Sequence, residues 1–238
     1  MVLTSAPLAI SLSFVAIVVG MVVLVLWGAG RTARRLGPGP ATGVRVAGIG
    51  LVGWLALTAV LADRGFFDDF RALPPPMLLA VGLPLAALLA LTFSRRLEPF
   101  LAALPPSWPV VAQSFRIAVE LVLWQLAVAG VIPELLSFHG RNWDILVGLS
   151  APVVAYGCFV RRVWPARVAV WWNWAGIVIL LSVVVHAQLS APTPWQMLET
   201  DPPTTFIADW PYIWLPAFLV PLAWLLHAVS LRQPRMRR

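Results

Sequence analysis

Lysine is missing altogether from the 238 residues, so the 17 basic side chains are all arginines. No side-chain amine is present to form a Schiff base, which removes that whole branch of covalent chemistry. The single cysteine, Cys158, excludes an intrachain disulfide, a CxxC redox pair and a thiolate metal cage. The three histidines, His139, His186 and His227, are too scattered for HExxH. Neither GxxxxGK[ST] nor GxSxG occurs, so the common signatures of soluble enzymes are absent. Charge is scarce as well, at 11% of residues.

What is abundant is hydrocarbon. The chain is 60% hydrophobic with a mean hydropathy of +0.85, too apolar for one water-soluble domain. Runs long enough to cross about 30 Å of lipid, about 20 residues each, fall at 8–29, 43–62, 76–94, 111–132, 144–160, 167–188 and 210–231. No basic segment precedes the first run, which is longer than a signal-peptide core and reads as a retained helix. The expected fold is an all-α integral membrane protein, a seven-transmembrane-helix bundle forming one polytopic domain over residues 1–238.

The formal charge of +7 reports orientation rather than nucleic-acid binding. Assigning loops alternately to two sides places Arg31, Arg34, Arg35, Arg45, Arg95, Arg96, Arg161, Arg162, Arg167, Arg232, Arg235, Arg237 and Arg238 on one side. The other side holds Arg64, Arg71 and Arg141 with Asp63, Asp68, Asp69, Glu134, Asp144, Glu199, Asp201 and Asp209. Positive charge marks the cytoplasmic face, so the N-terminus is expected outside and the C-terminus in the cytoplasm, within a plasma (inner) membrane. Three turns on the basic side repeat Arg-Arg-x-x-Pro, at Arg34, Arg95 and Arg161. Basic residues suit a helix C-terminus and proline ends it, which accounts for the repeat without a duplication. The 189–209 connection, rich in proline and acid, reads as a lid or a surface cap, and many of the 13 tryptophans read as interfacial anchors.

Chemistry concentrates in the fourth and fifth spans. Gln113, Arg116, Glu120 and Trp124 recur at helical spacing and share one face. From a start near Val111, Arg116 falls roughly 7 Å and Glu120 roughly 13 Å deep. Ions at that depth persist when paired or wetted, so Arg116 and Glu120, with Gln113 and Trp124 on the same face, are candidates for ligand binding or proton coupling; the bland alternative is an intrahelical Arg-Glu pair, joined by Gln125 or Asn173. The fifth span carries Asp144, Gly148, Ala151, Ala155 and Cys158 on one stripe, mostly small residues that let a neighbouring helix approach. Asp144 then heads the seam with the fourth span. The intervening loop and the end of the sixth span place Glu134, His139, Arg141, Asn142, Asp144 and His186 at the outer face. These types suit a small ligand, and two histidines with carboxylates would suit a divalent cation. No spacing is diagnostic, however, so no metal is assigned and cofactors stay unspecified. Asp144 could equally cap the fifth helix. Pro216 and Pro221 interrupt the seventh span, where His227 reads as a rim residue.

Span count, length and N-out topology resemble the architecture of microbial rhodopsins and of sugar-efflux transporters. The lysine of the first and the proline-glutamine motif of the second are absent, so the resemblance implies architecture alone. Three functions remain open: binding or transport of a small molecule along the fourth and fifth helices; a non-catalytic subunit docking a protein partner on its arginine-rich cytoplasmic face; and an enzyme acting on a lipid or isoprenoid outside. The bilayer is the one partner expected in every case, and nucleic acid in none.

Overall fold

A computed structural model describes residues 6–233, and within them the chain is helical with no strand. Arg235, Arg237 and Arg238 lie outside the described residues. The first two helices form a hairpin: α1 (Leu8–Leu36) ends with Arg34 and Arg35, and α2 (Pro38–Asp63) begins one residue later. The turn between them is Gly37 alone, at φ 121°, a conformation that favours glycine, and Pro38 suits the first helical position because its missing N–H needs no partner there.

The third apolar run folds as α3 (Met77–Phe93), a one-turn 3-10 segment Arg95–Leu97 and α4 (Glu98–Ala103). Ser94 Oγ accepts the Arg96 N–H at the break, and the two arms differ in direction by 69°. α5 (Ser107–Ala112) and α6 (Phe115–Val128) make one 22-residue run, beginning somewhat earlier than the sequence predicts. α7 (Asp144–Ala155) contains Pro152 and passes into a π-turn, Tyr156–Val160; α8 (Ala166–Ser190) follows. A second π-turn, Leu215–Leu219, leads into α9 (Val220–Arg232). Among the described residues five helices are long and apolar enough to cross a membrane, or six with the bent pair taken as one. The expected fifth span, Asp144–Val160, is the shortfall: it is apolar but short.

α6 runs up the centre. Val119, Val122, Leu123 and Leu126 pack against Phe14, Val18 and Met21 of α1 and against Phe218, Leu219 and Leu222. Contacts fix how the chain ends are grouped. Arg232 pairs with Glu98 at 3.8 Å, Gln233 Nε2 donates to Leu104 O at 3.0 Å, and Trp108 stacks near Trp27, so the ends of α1, α3 and α9 meet the start of α5. At the other end Phe67 and Phe70 pack with Ala191, Ala208 and Ile213, bringing the 64–76 connection against the 191–214 connection. That longer connection is tied down by Thr204 Oγ1, which donates to Ser190 Oγ at 2.8 Å, and by Phe206 in the core. It is a packed cap. By contrast Leu8, Val19, Val23, Val46, Ile49 and Val52 lie open on α1 and α2, an apolar surface suited to lipid.

Prolines in the last span free a carbonyl, and the fold uses it. Pro221 has no N–H for Ala217 O four residues back, and Trp54 Nε1 donates there at 3.0 Å. Trp214 Nε1 returns the contact to Leu55 O at 3.0 Å, so two indoles clasp α2 to the π-turn.

Candidate functional site

The seam between α6 and α7 depends on a missing side chain. A Cβ on Gly148 would collide with Ile117 N at 2.9 Å and crowd the Arg116 Cβ at 3.4 Å, so the backbone of α7 lies directly on the stem of Arg116. One turn along α7, Asp144 accepts from Arg116 Nη1 at 3.1 Å; Arg116 is 2% exposed and the carboxylate side chain 11%. Removing two charges from water is costly unless they meet, and here they do.

The connection from α6 to α7 folds inwards to complete the site. α6 ends where Gly130, at φ 69°, donates to Ala127 O and Val131 N donates to Leu126 O, the paired bonds of a glycine-terminated helix. The chain then curls so tightly that Gly140 has no room for a side chain beside the Glu134 and Leu135 backbone. That curl delivers Asn142 into the protein. Its Nδ2 donates to Glu120 Oε1 at 2.5 Å and to Leu136 O at 3.1 Å, and its Oδ1 accepts the Asp144 N–H at 3.1 Å. Asn142, not Asp144, therefore provides the side-chain bond at the start of α7.

Arg116 and Glu120 thus take different partners, Asp144 and Asn142, rather than closing on each other as an intrahelical pair. Asn142 and Asp144, placed on the outer face by sequence, are buried within the seam. The other predicted residues separate from it. Trp124 is half-buried, with Phe138 and His139 rings 6.1 and 6.0 Å away. Glu134 and Arg141 are exposed, and His186 bonds within its own helix, Nδ1 lying 2.7 Å from Ser182 O. Among the described residues no three His, Cys, Asp or Glu side chains converge as metal ligands.

Gln113, buried one turn before Arg116, donates through Nε2 to Ala223 O at 3.1 Å and carries the polar line across to α9. There the structure corrects the reading of His227 as a rim residue: it is fully buried. Its Nδ1 lies 2.9 Å from Asn173 Oδ1, and Asn173 Nδ2 reaches Ser230 Oγ at 3.0 Å and Ala169 O at 2.7 Å. The ring fits because Gly176 has no Cβ. A signal for this second cluster was available: Asn173 and Gly176 are three apart on one helix, as are His227 and Ser230 on the next.

Several buried atoms of this line have no hydrogen-bond partner among the described residues: Glu120 Oε2, Arg116 Nε and Nη2, Gln113 Oε1, Ser114 Oγ and His227 Nε2. The arrangement therefore offers both open donors and open acceptors. If all three ions are charged, two carboxylates face one guanidinium, leaving one negative charge for a proton or a cation to balance.

No curated protein and no solved structure matches the chain. The sequence profile of a family described as a domain of unknown function, DUF8737, matches residues 74–234, which hold α3 to α9 and every residue of the polar line. Because that match takes in more than half of the 238 residues, the chain belongs to the DUF8737 family.

Proposed function

We propose that the chain is a seven-span inner-membrane protein that binds or transports a small polar molecule at the Arg116–Glu120–Asp144 seam, coupled to a proton on the carboxylates. The observation that carries this reading is the set of unpartnered atoms on Glu120 and Arg116, both nearly completely buried. Such groups cost roughly 1–3 kcal/mol each when left unsatisfied, more when charged, which favours a site that a polar guest completes. Open acceptors on Glu120 and Gln113 beside open donors on Arg116 suit a guest that offers both a donor and an acceptor.

The seven-span reading takes Asp144–Val160, 17 residues, as a short crossing. Its support is packing: α7 runs antiparallel beside α5 and α6, with Gly148 against Arg116 and Val154 and Cys158 grouped with Val110. Arginine-bearing ends gather on the side of Arg232 and Arg95, and the positive-inside rule turns that side to the cytoplasm.

Proteoliposomes holding a pH-sensitive dye test the coupling. Under an imposed proton gradient, a panel of amines, carboxylates, zwitterions and sugars is added, and at least one is expected to dissipate the gradient through the wild-type chain. Glu120→Gln keeps an acceptor for Asn142 but cannot ionise, so that flux should vanish while the protein remains folded. Flux unchanged in the variant, or no response to any solute, defeats the proposal.

A further inference from the structure

The basic end of the α1–α2 hairpin carries a second site, independent of the seam. A groove of about 590 Å³ lies between the helices, with Leu26, Val44, Ile49 and Val52 along it and Arg34 and Arg45 beside them. Gly48 sets the register, because a Cβ there would stand 3.2 Å from the Leu26 side chain. Arg34 belongs to the last turn of α1, yet its Nη1 turns back to 3.8 Å from where a Cβ of Gly30 would stand. Helical side chains lean towards the N-terminus, which here is the direction of the hydrocarbon. Arg45 lies one turn before Gly48 on the facing helix, so both guanidiniums border the same stretch of the groove.

Neither has a counterion among the described residues. Residues 1–62 contain no aspartate or glutamate, and the first acid, Asp63, is at the far end of α2. The two ion pairs among the described residues belong to Arg116 and Arg232. Two cations therefore flank an apolar trough at the basic end of the hairpin. We infer that this groove binds an anionic phospholipid, its phosphate between Arg34 and Arg45 and an acyl chain along Leu26, Ile49 and Val52. Guanidiniums bind phosphate through charge-assisted hydrogen bonds, and basic recesses between helices on the cytoplasmic side suit such headgroups.

Native mass spectrometry of the full detergent-purified chain, given equal phosphatidylglycerol and phosphatidylcholine, tests this. One phosphatidylglycerol should be retained in preference to phosphatidylcholine. Changing Arg34 and Arg45 together to alanine should weaken its retention roughly 30-fold, the product of about fivefold from each of the two cations near the lipid surface. Both side chains are exposed, so the fold should survive, with circular dichroism as the check. Changing the exposed Arg95 and Arg96 to alanine should leave retention unaltered, and excess inorganic phosphate should not displace the lipid. Equal retention of both lipids, an equal loss in the two double variants, or displacement by phosphate alone would each overturn the assignment.

Discussion

Arginine meets two different solvents in this molecule. On the α1–α2 hairpin, Arg34 and Arg45 stand exposed in an acid-free stretch of chain, on helices whose apolar windows are only 17% buried. In the α5–α6 span, whose window is 50% buried, Arg116 is enclosed and holds Asp144 at 3.1 Å. The hairpin lies outside the residues matched to the family, while the seam lies inside them. A buried guanidinium needs a counterion, whereas an exposed one is hydrated and free to take one. The interior supplies one from the chain, and the hairpin leaves its own to come from outside, which is the physical basis of the lipid assignment.

The sharpest break in this comparison is to remove the charge from each place. Arg116→Ala should cost about 3–5 kcal/mol, because it strands a buried carboxylate, and Asp144→Ala should cost a similar amount. Replacing the pair with Met at 116 and Leu at 144 should recover most of the loss, since two apolar side chains need no counterion. Arg34→Ala should stay within about 0.5 kcal/mol of wild type. Denaturation in micelles, followed by circular dichroism, measures all four. If Arg116→Ala proved as mild as Arg34→Ala, the seam would be wet enough to solvate a lone carboxylate.

Glycine sharpens the same contrast at smaller scale. Gly176→Ala drives a methyl into the His227 ring and should cost about 1–3 kcal/mol as the α8–α9 contact is forced apart. Gly20→Ala on α1 meets nothing within 4 Å and should cost nothing, stabilising by up to about 1 kcal/mol through helix propensity. Equal effects at the two positions in the same denaturation assay would mean that α8 and α9 separate without penalty.

Much of this was legible in one dimension and the rest was not, for identifiable reasons. Unbroken apolar runs announce long helices, and the spacing of Gln113, Arg116 and Glu120 shows that they share a face. The partners are another matter. Arg116 and Glu120 are neighbours in sequence, whereas Asp144 is 28 residues away from Arg116 and reaches it only because Gly148 lets α7 settle on that stem. Asn142 reads as a surface residue since loops are ordinarily outside, and only the inward curl past Gly140 makes it a buried ligand of Glu120. His227 reads as a rim residue because Arg232 is so near in sequence. Its end of α9 is covered by Gln113 and the 104–113 segment, packing that no local pattern encodes.

The two regions meet where the connection after α2 touches the one before α9, and the joint carries a pH dependence. Asp209 lies at the surface beside a crowded loop; loss of hydration among its neighbours, and then the charge of Asp68, push its carboxyl up from the ordinary aspartate range. Ionising Asp209 is harder in the folded protein than in the unfolded chain. Its stabilising contribution is therefore full below the unfolded value and is lost as pH rises through the raised folded one. Thermal midpoints across the mildly acidic range should fall with increasing pH in the wild type. Asp209→Asn should remove that slope and raise stability at neutral pH. Asp68→Asn should remove a smaller part of it, because hydration loss at Asp209 persists when its charged neighbour is gone. Identical slopes in all three proteins would show that the hairpin's connection and the 191–214 cap do not lie together in solution, leaving the packing of α1 on α6 and the clasp of Trp54 and Trp214 to join the hairpin to the rest.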